Sequence, residues 1–320
     1  MENSWCRAVP GGTGITVLGF DISRAPDMVK YQIALHKLQN AHPILNSRLH
    51  TNTKTNTFSF VTSPTLFVQI KTFDLSSTLE ILETRQTQWV AVMRLHVSAC
   101  DHTMAETILR KLMGYLIGGT NDGEGRRIEK EIGSCKAKGI KLCGALVATG
   151  LMAADKCSKH HQKKKYGVLI LIDCRSNFDL ALSIHHFGEN LWKLAKKTYT
   201  AFASSKNKDK HFTDLAALSF VMCKAIENPA LTPSSSLRSS FMTVFEDTII
   251  DDYNDMQREL GVDDYIGCAS IHNISPSIAI FDTIRNGRLD CVCVYPSPLH
   301  AREQMQELVD NMKKILVDLV

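Results

Sequence analysis

Short runs of β-branched and aromatic residues alternate along the chain with segments whose apolar residues recur every three or four positions. The first pattern predicts β-strands and the second predicts amphipathic helices. The strands are predicted at residues 14–22, 57–62, 66–73, 89–97, 167–173, 241–245, 265–271, 277–284 and 289–295. The helices are predicted between Pro26 and His42, at 103–117, just before Gly139, at 142–156, 191–204 and 214–227, and from about Ala301 onward.

The C-terminal segment carries the clearest pattern. Strands 277–284 and 289–295 flank an Asn286-Gly287 turn, and Asn-Gly is the strongest short-range signal for a β-hairpin. We expect the helix that follows to pack its apolar stripe on a sheet. The stripe consists of Met305, Leu308, Met312, Ile315, Leu316 and Leu319.

Two further features indicate how the chain is organised. Residues 167–173 are apolar on both faces of a predicted strand, which indicates a central strand covered on both sides. The mixed order of strands and helices predicts an α+β or α/β sandwich. The glycines and small polar residues at 118–125 neither pack nor favour one backbone conformation, so they predict a linker that divides the chain unequally.

Composition and charge exclude several classes of protein. Of the 320 residues 44% are apolar and 22% charged, which argues against intrinsic disorder. Lys and Arg exceed Asp and Glu by only 37 − 33 = 4 and are spread along the chain, so no nucleic-acid partner is predicted. Apolar segments fall short of the ~18 residues of a membrane span, and the first residues lack an apolar signal region. We expect a cytoplasmic protein without a membrane span.

The cysteines and histidines allow rival interpretations. Ten cysteines in an intracellular chain are expected to be reduced thiols. Cys100 stands close to His96 and Asp101, as in a thiol protease, but no nucleophile-bearing turn is visible, so a buried thiol is predicted.

Two His-rich clusters can also be interpreted either as binding sites or as solvated segments. His185, His186 and Glu189 could ligate a metal, but no third and fourth ligand accompanies them at suitable spacing. We predict a solvated turn there and no metal site. The His- and Lys-rich segment 160–165 could bind a polyanion, but a solvated loop before the next strand is favoured.

Three segments together resemble one family. Residues 35–49 contain a His42-Pro43 turn that continues to Leu45 and Arg48, residues 94–101 lead into a helix, and residues 287–299 close a hairpin before the last helix. In this order they are similar to the chloramphenicol-acetyltransferase-like superfamily. That superfamily contains non-ribosomal condensation domains, BAHD acyltransferases and alcohol O-acyltransferases. The chain most resembles its plant condensation-domain-like group.

The resemblance implies an α/β sandwich of two similar half-domains, residues 1–117 and 134–320, joined at 118–133 and separated by a substrate tunnel. It implies acyl-CoA as co-substrate, a small alcohol or amine as acceptor, and no permanently bound cofactor. In active relatives a His at a strand end is the general base, a step worth ~10²–10⁴-fold. The motif's Asp pairs with an Arg of the second half, and here that structural pair would be Asp101 and Arg175.

The chain departs from the family motif at the reacting position. That position lies four residues before the Asp and is occupied by Val97, which cannot accept a proton. His96 lies five residues before Asp101 and is the predicted catalytic base by elimination, although strand alternation would turn its ring away from the tunnel. His102 replaces the Gly that follows the Asp and is a possible substitute base. A helix dipole there would disfavour its protonated form.

The chain also looks incomplete beside the family. Segments are expected to be missing before Trp89, within 121–127 and after Gly188. The predicted function is transfer of an acyl group from acyl-CoA to an alcohol or amine. The alternative is a catalytically inactive relative that binds a ligand or partner, and Val97 and the missing segments favour it.

Overall fold

The computed structural model describes the chain in fifteen stretches. They are residues 14–55, 57–65, 68–73, 89–100, 102–118, 133–157, 166–171, 181–184, 190–207, 220, 241–244, 259–270, 278–285, 288–297 and 299–317.

Within these stretches the chain forms ten strands and six α-helices. The strands are β1 (Ile15–Ile22), β2 (Ser47–Asn52), β3 (Thr57–Thr62), β4 (Trp89–His96), β5 (Tyr166–Leu171), β6 (Ala181–Ile184), β7 (Phe241–Val244), β8 (Val262–Ala269), β9 (Ala279–Arg285) and β10 (Arg288–Val294). The helices are α1 (Met28–Ala41), α2 (His102–Ile117), α3 (Gly133–Ala137), α4 (Leu142–Lys156), α5 (Leu191–Asn207) and α6 (Arg302–Val317). A 3₁₀ helix covers Pro43–Asn46.

The chain divides into two compact units. Unit 1 consists of Met1–Arg126 together with Ile249–Ala269, and unit 2 consists of Arg127–Thr248 together with Ser270–Val320. Strand β8 lies inside the range 134–320 assigned above to the second half-domain, but it belongs to unit 1 because it pairs with β1. The local pattern of β8 predicts a strand and carries no information about its partner.

Unit 1 contains an antiparallel sheet in the order β4-β1-β8 and a separate β2-β3 hairpin. Alternate residues of β1, Leu18, Phe20 and Ile22, are at most 2% exposed and form one apolar face of the sheet. They share a core with α1 and α2. Helix α1 starts where the Asp27 carboxylate accepts hydrogen bonds from the backbone N–H groups of Val29 and Lys30, a normal N-cap.

A tight contact fixes the start of β8 to the end of β1. The backbone N–H and the hydroxyl of Ser23 both donate to the Gly261 carbonyl oxygen, at 2.8 and 3.0 Å. Gly261 has φ +68°, a backbone conformation that favours glycine. The guanidinium of Arg24 donates to the carbonyl oxygen of Glu259 at 3.2 Å. Unit 1 is thereby closed by residues that are far apart in sequence.

Unit 2 contains a five-stranded sheet in the order β10-β9-β7-β5-β6. The β9-β10 and β5-β6 pairs are antiparallel, whereas β7 runs parallel to both β5 and β9. The sheet shares a core with α4, α5 and α6. The predicted stripe of α6 is confirmed at four buried residues, Met305, Leu308, Met312 and Ile315, and Leu316 packs against the same core, whereas Leu319 lies outside the described residues. Val168 is 3% exposed, as expected for a central strand.

Helices α4 and α5 approach each other closely at Gly144. A Cβ built there would lie 2.9 Å from the Ala195 carbonyl oxygen and 2.9 Å from Tyr199 Cβ. The Thr198 hydroxyl donates into the same contact, 3.2 Å from the Gly144 carbonyl oxygen and 2.9 Å from that of Ala195. A glycine is therefore required for this helix spacing.

Two sequence predictions in unit 1 differ from the structure. The strand predicted at 66–73 is wrong in its described part, because 68–73 form no strand. Instead the Val68 N–H donates to Gln39 of α1, and the Val68 carbonyl oxygen accepts from Gln32. Strand β2 was not predicted, because the sequence Ser47–Asn52 is mostly polar and exposed.

The apolar residues of α1 do not all face the core of unit 1. Val29 and Ile33 are 70% and 52% exposed, whereas Ala34 and Leu38 are buried. The helix packs through Ala34, Leu38 and their neighbours because α2 and β1 lie on that side.

Every helix in the described part of the chain is too short or too polar to cross a bilayer. The predicted helix 214–227 and most of the predicted linker lie outside the described residues.

Candidate functional site

His96 is the last residue of β4 and pairs with Ile15 of β1. Ala91, Met93 and Leu95 pack against the core of unit 1. Since side chains alternate along a strand, His96 lies on the opposite face of the sheet, as does Val92, which is 56% exposed. The His96 ring is half-buried. Strand β4 ends at His96, one residue before the end of the predicted strand 89–97, and the imidazole faces away from the core of its own unit.

The Nδ1 atom of His96 lies within hydrogen-bond distance of two groups of Ser98. The Ser98 backbone N–H donates to Nδ1 at 3.1 Å, and Ser98 Oγ lies 2.7 Å from the same atom. The backbone N–H can only donate, whereas the Ser98 hydroxyl can donate to Nδ1 or accept from it, depending on the tautomer of the ring.

The turn after β4 is fixed by backbone hydrogen bonds. The His96 carbonyl oxygen accepts from Ala99 at 2.9 Å and from Cys100 at 3.2 Å. The Val97 N–H donates to the Gly14 carbonyl oxygen at 2.8 Å and continues the pairing of β4 with β1. The position of Ser98 below the ring is thus determined by the turn and by the sheet together.

Cys100 ends this turn and is 6% exposed, so the predicted buried thiol is confirmed. Burial on the core side separates it from the face that carries His96.

The other predicted site residues are only partly described. His102 is the first residue of α2, but its side chain lies outside the described part, as do Asp101 and Arg175. Residues 160–165 and 185–189 also lie outside it. Among the described residues no group of His, Cys, Asp and Glu side chains could hold a metal ion. The sequence missed Ser98, although a hydroxyl residue two positions after a strand-end histidine was the available signal.

A second polar cluster lies in unit 1 on the core side of the sheet. Tyr265 of β8 aligns with Phe20 of β1, and its hydroxyl is buried without a hydrogen-bond partner in the described part of the chain. Burial, and after it the negative charge of Glu106, raises the pKa of Tyr265 well above its ordinary value. This hydroxyl is neutral and lies on the other face from His96, so the two do not form one site.

His42 stands at the end of α1 in the His-Pro turn. Its Nε2 atom is buried and has no hydrogen-bond partner in the described ranges. Burial, with a further contribution from the positive charge of Lys111, lowers the pKa of His42 below its ordinary value. His42 is therefore a neutral side chain of the fold near neutral pH.

Comparison with known proteins gives likeness in fold alone. No protein-family model matches the chain, and no curated protein sequence matches it. Several solved structures are similar in fold. Polyketide synthase associated protein 5 from Mycobacterium tuberculosis is 10% identical with a TM-score of 0.58, and 97% of this chain and 96% of that chain are covered.

Two condensation domains are also similar in fold. The first condensation domain of the calcium-dependent antibiotic synthetase, solved with a substrate analogue, is 11% identical with a TM-score of 0.59, covering 99% of this chain and 94% of that one. The condensation domain of the monacolin K polyketide synthase is 9% identical with a TM-score of 0.63, covering 99% and 95%. The chain therefore has the mixed α/β fold of condensation domains, which is chloramphenicol-acetyltransferase-like.

Proposed function

We propose that this protein transfers an acyl group from an acyl-CoA thioester to a small alcohol or amine at the face of the unit 1 sheet that carries His96. Its acyltransferase-like fold supports the reaction class. The observation that carries the assignment of the site is the half-buried imidazole at the end of β4, held in one orientation by the turn that follows.

The reaction needs no covalent enzyme intermediate. The lone pair of the acceptor oxygen or nitrogen attacks the thioester carbonyl carbon, and a tetrahedral intermediate forms. The C–S bond then breaks, and the proton that the acceptor loses ends on the CoA sulfur. A side chain can assist by carrying that proton or by stabilising the negative charge on the carbonyl oxygen.

A general-base role for His96 is compatible with this scheme but carries a cost. Action through Nε2 requires the proton to move to Nδ1, which breaks the hydrogen bond from the Ser98 backbone N–H, whereas the Ser98 hydroxyl can turn and accept from Nδ1–H. One such bond contributes about 1 kcal/mol, so the reactive tautomer is reduced roughly fivefold. General-base catalysis gains ~10²–10⁴-fold, which exceeds this cost.

The finer elements of the proposal rest on the motif resemblance. Asp101 and Arg175 form the structural pair, and His102 is the substitute base because the N-terminus of α2 favours its neutral form. The chain belongs to the plant condensation-domain-like group and lacks internal segments of its relatives. Residues 1–117 and 134–320 are its half-domains. The motif segments at 35–49, 94–101 and 287–299 support these assignments.

The test is release of free CoA. The full chain is mixed with acetyl-CoA and a panel of alcohols and amines, and His96→Ala is expected to lower the rate by at least ~10²-fold. His50→Ala, which removes an exposed imidazole from β2 of the same unit, is the control and should leave the rate unchanged. Equal rates in the wild type and His96→Ala would remove His96 from the reaction.

A binding module without catalysis is the second candidate. Val97 favours it, since the residue at the motif's reacting position cannot accept a proton, and so does the occupied lone pair of His96 Nδ1. Calorimetric titration of the full chain with acetyl-CoA distinguishes the two. Saturable binding without release of free CoA for any acceptor would support the binding module.

A further inference from the structure

We infer that Gly19 forms the floor of a site for the acyl chain of the donor, on the face of the unit 1 sheet that carries His96. This acyl-chain site is built from residues of β1, β4 and β8. Its apolar hollow rests on the packing of these residues, and its use in acyl transfer rests on the proposed function.

Gly19 lies in the middle of β1, the central strand of its sheet. A glycine there weakens the strand, because it has no side chain to pack and loses much conformational entropy on folding. Gly144 lies at a close helix contact and Gly261 has a positive φ, so each of these glycines has a structural reason.

Neither reason applies to Gly19. Its backbone has the ordinary conformation of a strand. A Cβ built there would lie 3.9 Å from the Ala91 carbonyl oxygen, the nearest atom beyond its chain neighbours in the described part of the chain. A strand glycine without a packing or backbone reason is typical of a place where a ligand approaches the backbone closely.

The side chains around Gly19 on the His96 face are apolar. Residues directly opposite each other on antiparallel strands share a face, and Gly19 pairs with Val92 of β4 and Ile266 of β8. Val17, two positions earlier in β1, lies on the same face and is half-buried, as is Ile266. Gly19 is buried, but Val92 beside it is 56% exposed. The missing side chain therefore leaves a hollow with apolar walls that opens to solvent, and burial of an apolar group there is favourable.

The hollow lies in line with His96. Ile15 pairs with His96, and Ile15, Val17 and Gly19 follow one another on this face of β1. At the usual rise of a strand, Gly19 lies ~14 Å from Ile15. A donor whose thioester carbonyl lies at His96 would place a medium-length aliphatic chain, such as decanoyl, along these three residues.

The apolar surface ends one row beyond Gly19. There Asp21 of β1 pairs with Asp264 of β8, and the Asp264 carboxylate accepts a hydrogen bond from the Tyr265 backbone N–H at 2.7 Å. Contact with an apolar chain offers carboxylates no hydrogen bond. The site therefore fits a chain that ends at Gly19 better than a longer one.

Binding to the full chain tests the site without requiring catalysis. Decanoyl-CoA and acetyl-CoA differ only in the acyl chain, and calorimetric titration gives the affinity of each. Each buried methylene increases the affinity about fourfold, so decanoyl-CoA should bind at least ~10-fold more tightly. Equal affinities would overturn the inference.

Substitution of Gly19 locates the chain. Gly19→Val fills the hollow with a residue that favours strands, so the ratio of the decanoyl-CoA affinity to the acetyl-CoA affinity should fall at least ~10-fold. Gly19→Ala adds a single methyl group in ordinary contact with its neighbours and should lower the ratio about fourfold. Gly114→Ala, in α2 of the same unit, also adds a methyl group in open space and should leave the ratio unchanged.

Two results with the variants would contradict the site. One is an unchanged ratio in both Gly19 variants. The other is a lower midpoint of thermal unfolding in Gly19→Ala, because it would mean that another part of the chain already fills the hollow.

Release of free CoA separates the site from the proposed function. If the wild type binds decanoyl-CoA more tightly but releases no CoA from either donor, the acyl-chain site stands and the proposed transfer fails. If CoA is released and the ratio of the two rates is the same in the wild type and Gly19→Val, the transfer stands and the assignment of Gly19 is wrong.

Discussion

Unit 1 and unit 2 both pack helices on a sheet, but they assemble the sheet over different distances along the sequence. In unit 1 the central strand β1 lies between β4 and β8, and the Ser23–Gly261 contact joins residues 238 positions apart. In unit 2 the β9-β10 hairpin is local, and the α4-α5 contact joins Gly144 to Thr198. Unit 1 therefore depends on a distant closure, and unit 2 depends on close helix packing.

The candidate site lies in unit 1, the unit whose sheet joins segments far apart in the sequence. Bringing distant segments together has an entropic cost that local pairs avoid. His96 lies on β4, and the neighbouring strand β1 also pairs with β8, so the candidate site belongs to the sheet that this distant closure completes. Three pairs of matched substitutions, one residue in each unit, test whether the two units are stabilised as described.

The largest effect is expected at the helix contact of unit 2. Gly144→Ala places a methyl group 2.9 Å from two atoms of α5, so the helices must move apart. We expect the free energy of unfolding to fall by about 1–3 kcal/mol, the usual cost of overpacking. Urea denaturation measures the loss.

Gly114→Ala in α2 of unit 1 is the matched control. A Cβ there meets nothing within 4 Å. Because alanine is the better helix former, this variant should gain about 0.5–1 kcal/mol. A Gly144→Ala variant as stable as the wild type would show that α4 and α5 do not depend on the glycine.

A smaller effect is expected at the closure of unit 1. Gly261 and Gly139 of unit 2 have similar backbone angles, φ +68° and +62°, so Gly→Ala at each costs about 1 kcal/mol. Only at Gly261 does the new Cβ also meet the Ser23 hydroxyl, at 2.9 Å, whereas Gly139 has open space. Displacing that hydroxyl breaks its bond to Gly261, which adds about 1 kcal/mol.

Thermal unfolding of Gly261→Ala and Gly139→Ala measures how much more stability the first variant loses than the second. Equal losses in Gly261→Ala and Gly139→Ala would mean that the Ser23 contact does not contribute to closing unit 1.

The local sequence pattern predicted much of the secondary structure but not its long-range pairing. Helix α4 has the predicted bounds, because a mostly apolar segment of 15 residues is too long for an ordinary strand. The parallel pairs of β7 and the partner of β8 were not predictable, since side-chain alternation is the same whichever strand lies alongside. Strand β2 has too few apolar residues to give a pattern at all.

The candidate site shows the same limit. The strand end at His96 was predicted from β-branched and aromatic residues in β4. The contact between its ring and Ser98 was not, because it depends on the backbone angles of the turn that bring the Ser98 N–H close to Nδ1. Sequence alternation indicates on which face a histidine lies, but not which backbone groups its ring meets.

The smallest expected effect compares one histidine in each unit. Burial lowers the pKa of both His42 in unit 1 and His300 in unit 2, and for His42 the charge of Lys111 contributes as well. A histidine in the unfolded chain has a pKa of about 6.5. Above that pH each of the two histidines is neutral in both the folded and the unfolded chain, so its protonation does not reduce the free energy of unfolding. Below it the unfolded chain takes up protons first, so the free energy of unfolding falls as pH decreases toward the folded pKa.

His42→Gln and His300→Gln should each flatten this pH dependence, measured by urea denaturation between pH about 7.5 and about 5.5. Salt distinguishes burial from the charge of Lys111 as the cause of the lowered pKa. Because ions screen Lys111 but do not reverse burial, raising the ionic strength should weaken the His42 contribution and leave that of His300. If salt changes both contributions equally, the Lys111 charge does not act on His42, and the two units would carry their buried histidines for the same reason.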